Sequence, residues 1–358
     1  MMHIGVSLSP FGHHPAAWRD ETGARCRLDI EFFAAQTRKA QEGGLDFVFL
    51  ADAQARRPLT ELSPQTVPFE PTTLVAALAT RAKQIGFVAT AATRQHELYN
   101  LARRFASLDL ISHGRVGWNL VASGLSDTWN AEYIEVLSTL WDSWDEDAFV
   151  YDKAAGRFFV PQKMHVLDHR GEHFTVRGPL NVNRSPQGKP VIMHVLTPQT
   201  MAIAAHSADV MFLASASPED GDALLDEVRR LLERQGRKRS GIRVLANVIP
   251  WIGATTVQAQ DAFDELNARS LPGSVQEQQG YDVIGTAADV ADALQESFDE
   301  GQIDGFMILP PIAPRGLDAF VDCVVPELRR RGLFRACYEG TTLRDHLALD
   351  HSQQPTTK

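Results

Sequence analysis

Leu98-Tyr99-Asn100-Leu101-Ala102-Arg103-Arg104-Phe105-Ala106-Ser107-Leu108-Asp109-Leu110-Ile111 runs through Ser112-His113-Gly114 into Arg115-Val116-Gly117-Trp118-Asn119. The first segment spaces its apolar residues as an amphipathic helix does, and the last is a short apolar run of strand character. Read outward in both directions, this helix–strand alternation fills the chain. Strands are predicted at His3–Leu8, Asp46–Ala51, Ile85–Thr90, Arg115–Asn119, Pro190–Val195, Asp209–Ala214, Arg243–Ile249 and Gly305–Leu309. Helical patterns lie between them at about 29–42, 71–83, 98–111, 130–144, 198–207, 218–235, 255–268 with 286–300, and 316–331. Eight βα units of this kind predict an α/β fold, a TIM (β/α)8 barrel occupying residues 1–350 as one domain. No GxGxxG follows the first strand, which argues against a dinucleotide-binding sheet.

Two stretches break the rhythm. Residues 145–189 read as an insertion, with Phe158–Val160 and Glu172–Val176 forming a small hairpin around Asp168-His169-Arg170-Gly171. Residues 269–285, rich in Pro, Gly and Gln, read as a mobile loop. Pro71 after Glu70, and Pro218 before Glu219 and Asp220, suit first helical turns. The polar tail, 351–358, reads as frayed.

Composition narrows the class. Of 358 residues, 44% are hydrophobic, enough for a large core, and the formal net charge is −10 with a pI near 5.6. Nucleic-acid binding needs clustered Lys and Arg, and Arg237-Lys238-Arg239 reads as a solvated helix end. No apolar run approaches the roughly 20 residues that span a bilayer, and Met1-Met2-His3-Ile4-Gly5-Val6 enters a strand without signal-peptide character. Cys26, Cys323 and Cys337 form no CxxC pair, so neither a disulfide framework nor a zinc site is indicated. The expectation is a reduced, cytoplasmic protein with no nucleic-acid or membrane partner.

Several stretches, in collinear order, carry a family resemblance. They include Gly12-His13-His14-Pro15-Ala16-Ala17-Trp18-Arg19, Asp46-Phe47-Val48-Phe49-Leu50-Ala51-Asp52, Phe69-Glu70-Pro71, and Tyr99 through Asp109. Gly114-Arg115-Val116-Gly117-Trp118-Asn119, Leu140-Trp141-Asp142-Ser143-Trp144, Arg184-Ser185-Pro186-Gln187-Gly188 and Pro326-Glu327-Leu328-Arg329-Arg330-Arg331-Gly332-Leu333-Phe334 continue the series. Together they resemble the luciferase-like flavin monooxygenases, in the nitrilotriacetate-monooxygenase branch. The resemblance implies a barrel, assembled as a dimer, that borrows reduced FMN (FMNH2) from a separate NAD(P)H-dependent flavin reductase. Oxygen then adds to the flavin, and one oxygen atom passes to a small organic substrate. The flavin supplies the chemistry; the protein binds, orients and excludes water.

Under that resemblance Asp52, at the end of the second strand, lies beside the flavin, although Asp also caps turns well. His13 and His14 follow the first strand and can hold or give a proton near the oxygenated flavin; ordinary loop histidines are the other reading. Thr90, Thr93, Asn119 and Ser123 end the third and fourth strands and suit the polar edge of the ring or the ribityl chain, or plain turn bonding. Thr197 is the residue for the phosphate. A Glu70–Arg104 pair, His165, His169 and His173 as surface groups, and Trp118, Trp141 and Trp144 as core are structural expectations. No metal site is visible.

Three departures from the family pattern stand out. The loop after Ser123 is short and lacks a phosphate-binding tyrosine. The turn His194-Val195-Leu196-Thr197-Pro198-Gln199-Thr200 has no glycine, and Pro198 has no N–H to offer a phosphate. The segment between Ala268 and Gly285 is short. They keep two rival readings in play: a deazaflavin-dependent oxidoreductase on the same barrel, and a degenerate barrel serving as a binding or regulatory subunit.

Overall fold

The computed structural model describes residues 1–20, 29–52, 69–122, 126–215, 217–270 and 280–351. In chain order its elements are β1 His3–Ser7, α1 Ile30–Glu42, β2 Phe47–Leu50, α2 Pro71–Ala79, β3 Gly86–Ala92, α3 Leu98–Ile111, β4 Val116–Val121 and α4 Asp127–Leu140. An inserted pair of hairpins follows, β5 Phe149–Asp152 with β6 Arg157–Phe159, and β7 His169–Arg170 with β8 Thr175–Val176. Then come β9 Val191–Leu196, α5 Met201–Ser207, β10 Val210–Leu213, α6 Pro218–Arg234, β11 Arg243–Ile252 and α7 Thr256–Ala268. The chain ends with β12 Tyr281–Gly285, α8 Ala287–Asp299, β13 Gly305–Ile308, α9 Arg315–Ala319, α10 Val325–Arg330 and α11 Leu343–His346.

Eight of these strands, all parallel, close a ring: β1-β2-β3-β4-β9-β10-β11-β13 and back to β1. They are the eight predicted from alternation, so the fold is the expected TIM barrel. Its helices start where side chains can satisfy the first free amides. Asp29 accepts from Phe32 N, and Glu70, ahead of Pro71, accepts from Thr72 N and Thr73 N. Glu97 does the same for Tyr99 N and Asn100 N, and Ser126 for Trp129 N. Because both Glu70 oxygens serve the α2 cap, the expected Glu70–Arg104 pair does not form.

Strand alternation splits the core in two. Outward residues such as Ile4, Val48, Phe87, Trp118 and Phe306 pack beneath the helices. Inward residues such as Phe47, Val88, Met193, Phe212, Leu245 and Met307 fill the barrel with a second apolar cluster. Gly5 makes room for this filling: a Cβ there would lie 2.3 Å from the Phe47 ring. Leu343, from α11, is fully buried in the same inner cluster and plugs the floor. Above the apolar layers the inward positions turn polar, with Thr90 on β3, Asn119 on β4 and Asn247 on β11, at the C-terminal end where barrel active sites lie.

Three expectations need correction. Residues 145–189 hold two hairpins, because Phe149 and Asp152 find partners at Phe159 and Arg157, while His169-Arg170 pairs with Val176 and Thr175. Residues 281–285 are strand: β11 outruns the barrel, so its end, Val248–Ile252, pairs with Tyr281–Gly285 outside the ring. The final helical stretch breaks into α9 and α10 around a π turn, Phe320–Val324, ahead of Pro326, which has no N–H to continue the ladder. No helix of the described residues is long and apolar enough to cross a membrane.

Candidate active site

Thr90 and Asn119 face each other in register on β3 and β4, both pointing inward. Asn119 Nδ2 donates to Thr90 Oγ1 at 3.0 Å. Asn119 is 3% exposed, and its Oδ1 has no hydrogen-bond partner among the described residues. An orphaned buried amide oxygen costs about 1–3 kcal/mol, so a ligand N–H at the barrel mouth relieves a standing penalty. The imide N–H of a flavin ring is such a donor, and the pair therefore fits the edge of the cofactor.

The other predicted residues fall into two groups. Asp52, half-buried just past β2, lies close enough to His96 for its charge to act on that imidazole. Burial and Arg104 hold His96 below the usual histidine range, against the opposing pull of Glu70 and Asp52. Thr93 follows β3 and is buried, but its hydroxyl is given to Asn130 Oδ1 at 2.9 Å. Ser123 lies outside the described residues. Asn119 is paired with Met193 on β9, so Thr197, four residues on, closes the next strand end. There Thr197 N donates to Thr200 Oγ1 at 2.9 Å and Thr200 N to Thr197 Oγ1 at 3.2 Å. The turn spends two amides on itself and Pro198 has none, so it is a poor anion site.

The two histidines separate. His13 Nε2 donates to the Ser7 carbonyl at 3.1 Å, which holds the half-buried ring at the end of β1, on the mouth side of the barrel. His14 is 4% exposed. Ala16 N donates to its Nδ1 at 3.1 Å, so the proton sits on Nε2 and goes to Asn267 Oδ1 at 3.1 Å. Its ring meets Trp251 edge-on, and burial, the largest influence, lowers its pKa. His14 is thus a neutral buried latch between the loop after β1 and α7. Nothing in a single sequence pairs it with Asn267, 253 residues away.

The inserted hairpins give the loop histidines more definite roles than a free surface. His165 Nε2 meets Asp145 at 2.8 Å, and His169 Nε2 meets Glu132 Oε1 at 2.9 Å. Trp118, Trp141 and Trp144 are buried, as expected, each indole N–H given to a backbone carbonyl. No cluster of three or more His, Cys, Asp or Glu among the described residues could hold a metal ion.

Comparison with known proteins places this geometry. The family model described as luciferase-like monooxygenase matches residues 2–302. N-acetyl-S-(2-succino)cysteine monooxygenase of Bacillus subtilis (strain 168) is 34% identical over 97% of this chain and 96% of its own. Nitrilotriacetate monooxygenase component A of Aminobacter aminovorans is 33% identical, over 100% and 98%. The first alignment runs over 425 positions against 358 residues here, so that relative carries segments this chain lacks. Among solved structures, EDTA monooxygenase from Chelativorans sp. BNC1 superposes with a TM-score of 0.84 at 28% identity, covering 98% of this chain and 99% of its own. A barrel that serves only as a binding or regulatory subunit is set aside by these matches. With a closed barrel, an inward polar pair at its mouth and a family match along most of its length, the chain belongs to the luciferase-like monooxygenases and is a flavin-dependent enzyme of that family.

Proposed function

We propose that the chain is the oxygenase component of a two-component system, taking FMNH2 from a separate NAD(P)H-dependent flavin reductase. It works in the cytoplasm, as a dimer, on a small organic substrate. The observation that carries the cofactor assignment is the orphaned Asn119 Oδ1, held in place by Thr90. Bound here, reduced FMN would supply the activation of O2 and the transfer of one oxygen atom.

The chain's own residues do the rest. Asn119 and Thr90 hold the ring edge, and Asp52 accepts from a further donor beside it. His13, fixed through Ser7, holds a proton at the mouth. Thr93 shapes the wall through Asn130 without spending a bond on the cofactor. The Thr197 turn gives the phosphate end only a weak grip, which suits a cofactor that arrives reduced from another protein and leaves oxidised.

The test supplies FMNH2 from an NAD(P)H-dependent reductase under isotopically labelled O2 and a panel of small carboxylates, amines and thioethers. The proposal expects one labelled oxygen atom in a product, dependent on both proteins. Peroxide as the only oxygen product across the panel contradicts it.

A further inference from the structure

The turn that carries His13 is laced to the barrel on one side and clasped on the other. Gly12, with φ 117°, brings the backbone against the loop after β13; a Cβ there would lie 2.3 Å from the Pro311 carbonyl oxygen. Around it His13 N donates to Pro310 O at 2.9 Å, His14 N to Pro311 O at 3.1 Å, and Ala313 N to Phe11 O at 2.8 Å. Asp20 meets Arg315, at the start of α9, at 3.2 Å. On the other side the turn reaches the end of α7 through His14 and Asn267, and through Arg19, whose guanidinium donates to the Arg269 carbonyl.

We propose that Asn267, in the last turn of α7, is a positioning residue for the reaction: through the buried His14 ring it fixes the turn that holds His13 at the mouth. The proposal rests on the monooxygenase reading above and on the role given there to His13.

The latch works in one direction only. A backbone N–H can only donate, so Ala16 N, 3.1 Å from His14 Nδ1, requires that nitrogen bare. The single proton of the neutral ring then sits on Nε2 and needs an acceptor, which Asn267 Oδ1 supplies at 3.1 Å. His14 is 4% exposed, so loss of that acceptor leaves a buried N–H unpaired. Moving the proton to Nδ1 would set N–H against N–H at Ala16 and displace the turn. Ala16 and Ala17 belong to the inner apolar cluster with Trp251 and Leu266, so the displacement is taken up at the barrel mouth rather than in solvent.

The latch also requires His14 to stay neutral. Burial holds its imidazole below the usual range, against the Asn267 bond and the field of Asp282. Asp282, on β12, is the charged group that faces it. It stands behind Trp251, whose indole N–H donates to Asp282 Oδ1 at 2.7 Å and whose ring meets His14 edge-on. An amide at 267 fixes the tautomer without favouring the imidazolium, which a carboxylate in its place would do.

The parent, Asn267→Leu and Asn267→Asp test this together, with FMNH2 from the reductase, labelled O2 and the panel member that the parent oxygenates fastest, from pH 6 to 9. Asn267→Leu is expected to lose turnover about tenfold or more while KM and FMNH2 binding stay within about twofold, because the turn shifts and the flavin contacts do not. Asn267→Asp keeps an acceptor and is expected to match the parent at pH 9. As pH falls it loses turnover with a midpoint about one unit or more above the parent's, since its carboxylate favours a second proton on His14 and Nδ1 then no longer accepts from Ala16. A role in stability alone lowers Tm and moves no pH profile. The proposal is overturned if Asn267→Leu turns over like the parent, if its FMNH2 binding falls with turnover, or if the Asn267→Asp profile follows the parent's. A parent that releases only peroxide across the panel overturns the monooxygenase reading and this role with it.

Discussion

Replacing Arg335 by Met at the barrel floor isolates a fully buried charge. Asp46 is 0% exposed. Its Oδ1 is bonded by Arg335 Nη2, its Oδ2 accepts from Ile4 N at 2.6 Å, and His3 Nδ1 stands 3.6 Å away. Burial alone pushes the carboxyl up, but Arg335, His3 and the Ile4 amide outweigh it and hold the group below its usual range. Removing one partner of a buried pair costs about 3–5 kcal/mol, because the remaining charge is left uncompensated. At about 2.1 cal/mol/K of unfolding entropy per residue over 358 residues, that lowers Tm by about 4–7 °C. The sign with pH is fixed. In the parent, Asp46 contributes stability above its unfolded pKa that is lost as pH falls through the depressed folded value. Without Arg335 the folded pKa lies above the unfolded one, so the variant's deficit shrinks as pH drops from 7 toward 5. Adding Asp46→Asn restores most of the loss, since an amide oxygen still accepts from Ile4 N. Thermal unfolding from pH 5 to 8 reads all three chains. A Tm within 1 °C of the parent at pH 7, or a deficit that Asp46→Asn leaves unchanged, refutes the reasoning.

Three further outcomes follow from side chains elsewhere. Burial pushes Asp109 up to about 6, and Val116 N and Gln187 Nε2 both bond its Oδ1. A raised carboxyl favours folding below the unfolded pKa and loses that contribution as pH rises through 6, so Asp109→Asn should gain about 2 kcal/mol on the parent between pH 4 and 8; urea unfolding at both ends that shows a constant difference would sink the point. Gly171→Ala should push Glu132 off the β7–β8 hairpin, opening it to limited proteolysis while global Tm falls little; an unchanged cleavage rate argues that the hairpin is not held there. His14→Ala should cost about 1–3 kcal/mol by unlatching Asn267 and Ala16, whereas His13→Ala should lower turnover with little change in Tm; the opposite pattern would reverse the roles given to the pair.

The barrel was readable because its strands carry two signals at once. In β3 and β4, Phe87, Ala89, Trp118 and Leu120 feed the outer core while Val88, Thr90, Gly117 and Asn119 face inward. The result is a continuous apolar run bounded by helix starts. What stayed hidden was pairing at long range. β12 lacks apolar periodicity because it borrows its ladder from an overlong β11, and its Gly285 closes against Asp289 rather than into the core. The first hairpin escapes sequence reading because Phe149 and Phe158, adjacent in space at 5.6 Å, lie on either side of a turn that no Asn-Gly or Asp-Gly marks. At the mouth, strand-end position puts Asn119 and Thr90 side by side but does not tell which polar atoms the fold has already spent. Thr93, Thr197 and His14 share the composition of a ligand set, yet Asn130, Thr200 and Asn267 use their groups internally.

The central claim is that reduced flavin is held at the barrel mouth by Asn119. Titration of the full chain with FMNH2 under argon, followed by tryptophan fluorescence, tests it against Asn119→Leu and Thr90→Val. Saturable binding by the parent, weakened about tenfold or more in Asn119→Leu and less in Thr90→Val, is the predicted result. Binding of equal strength in all three chains, or none in the parent at high micromolar FMNH2, would contradict it.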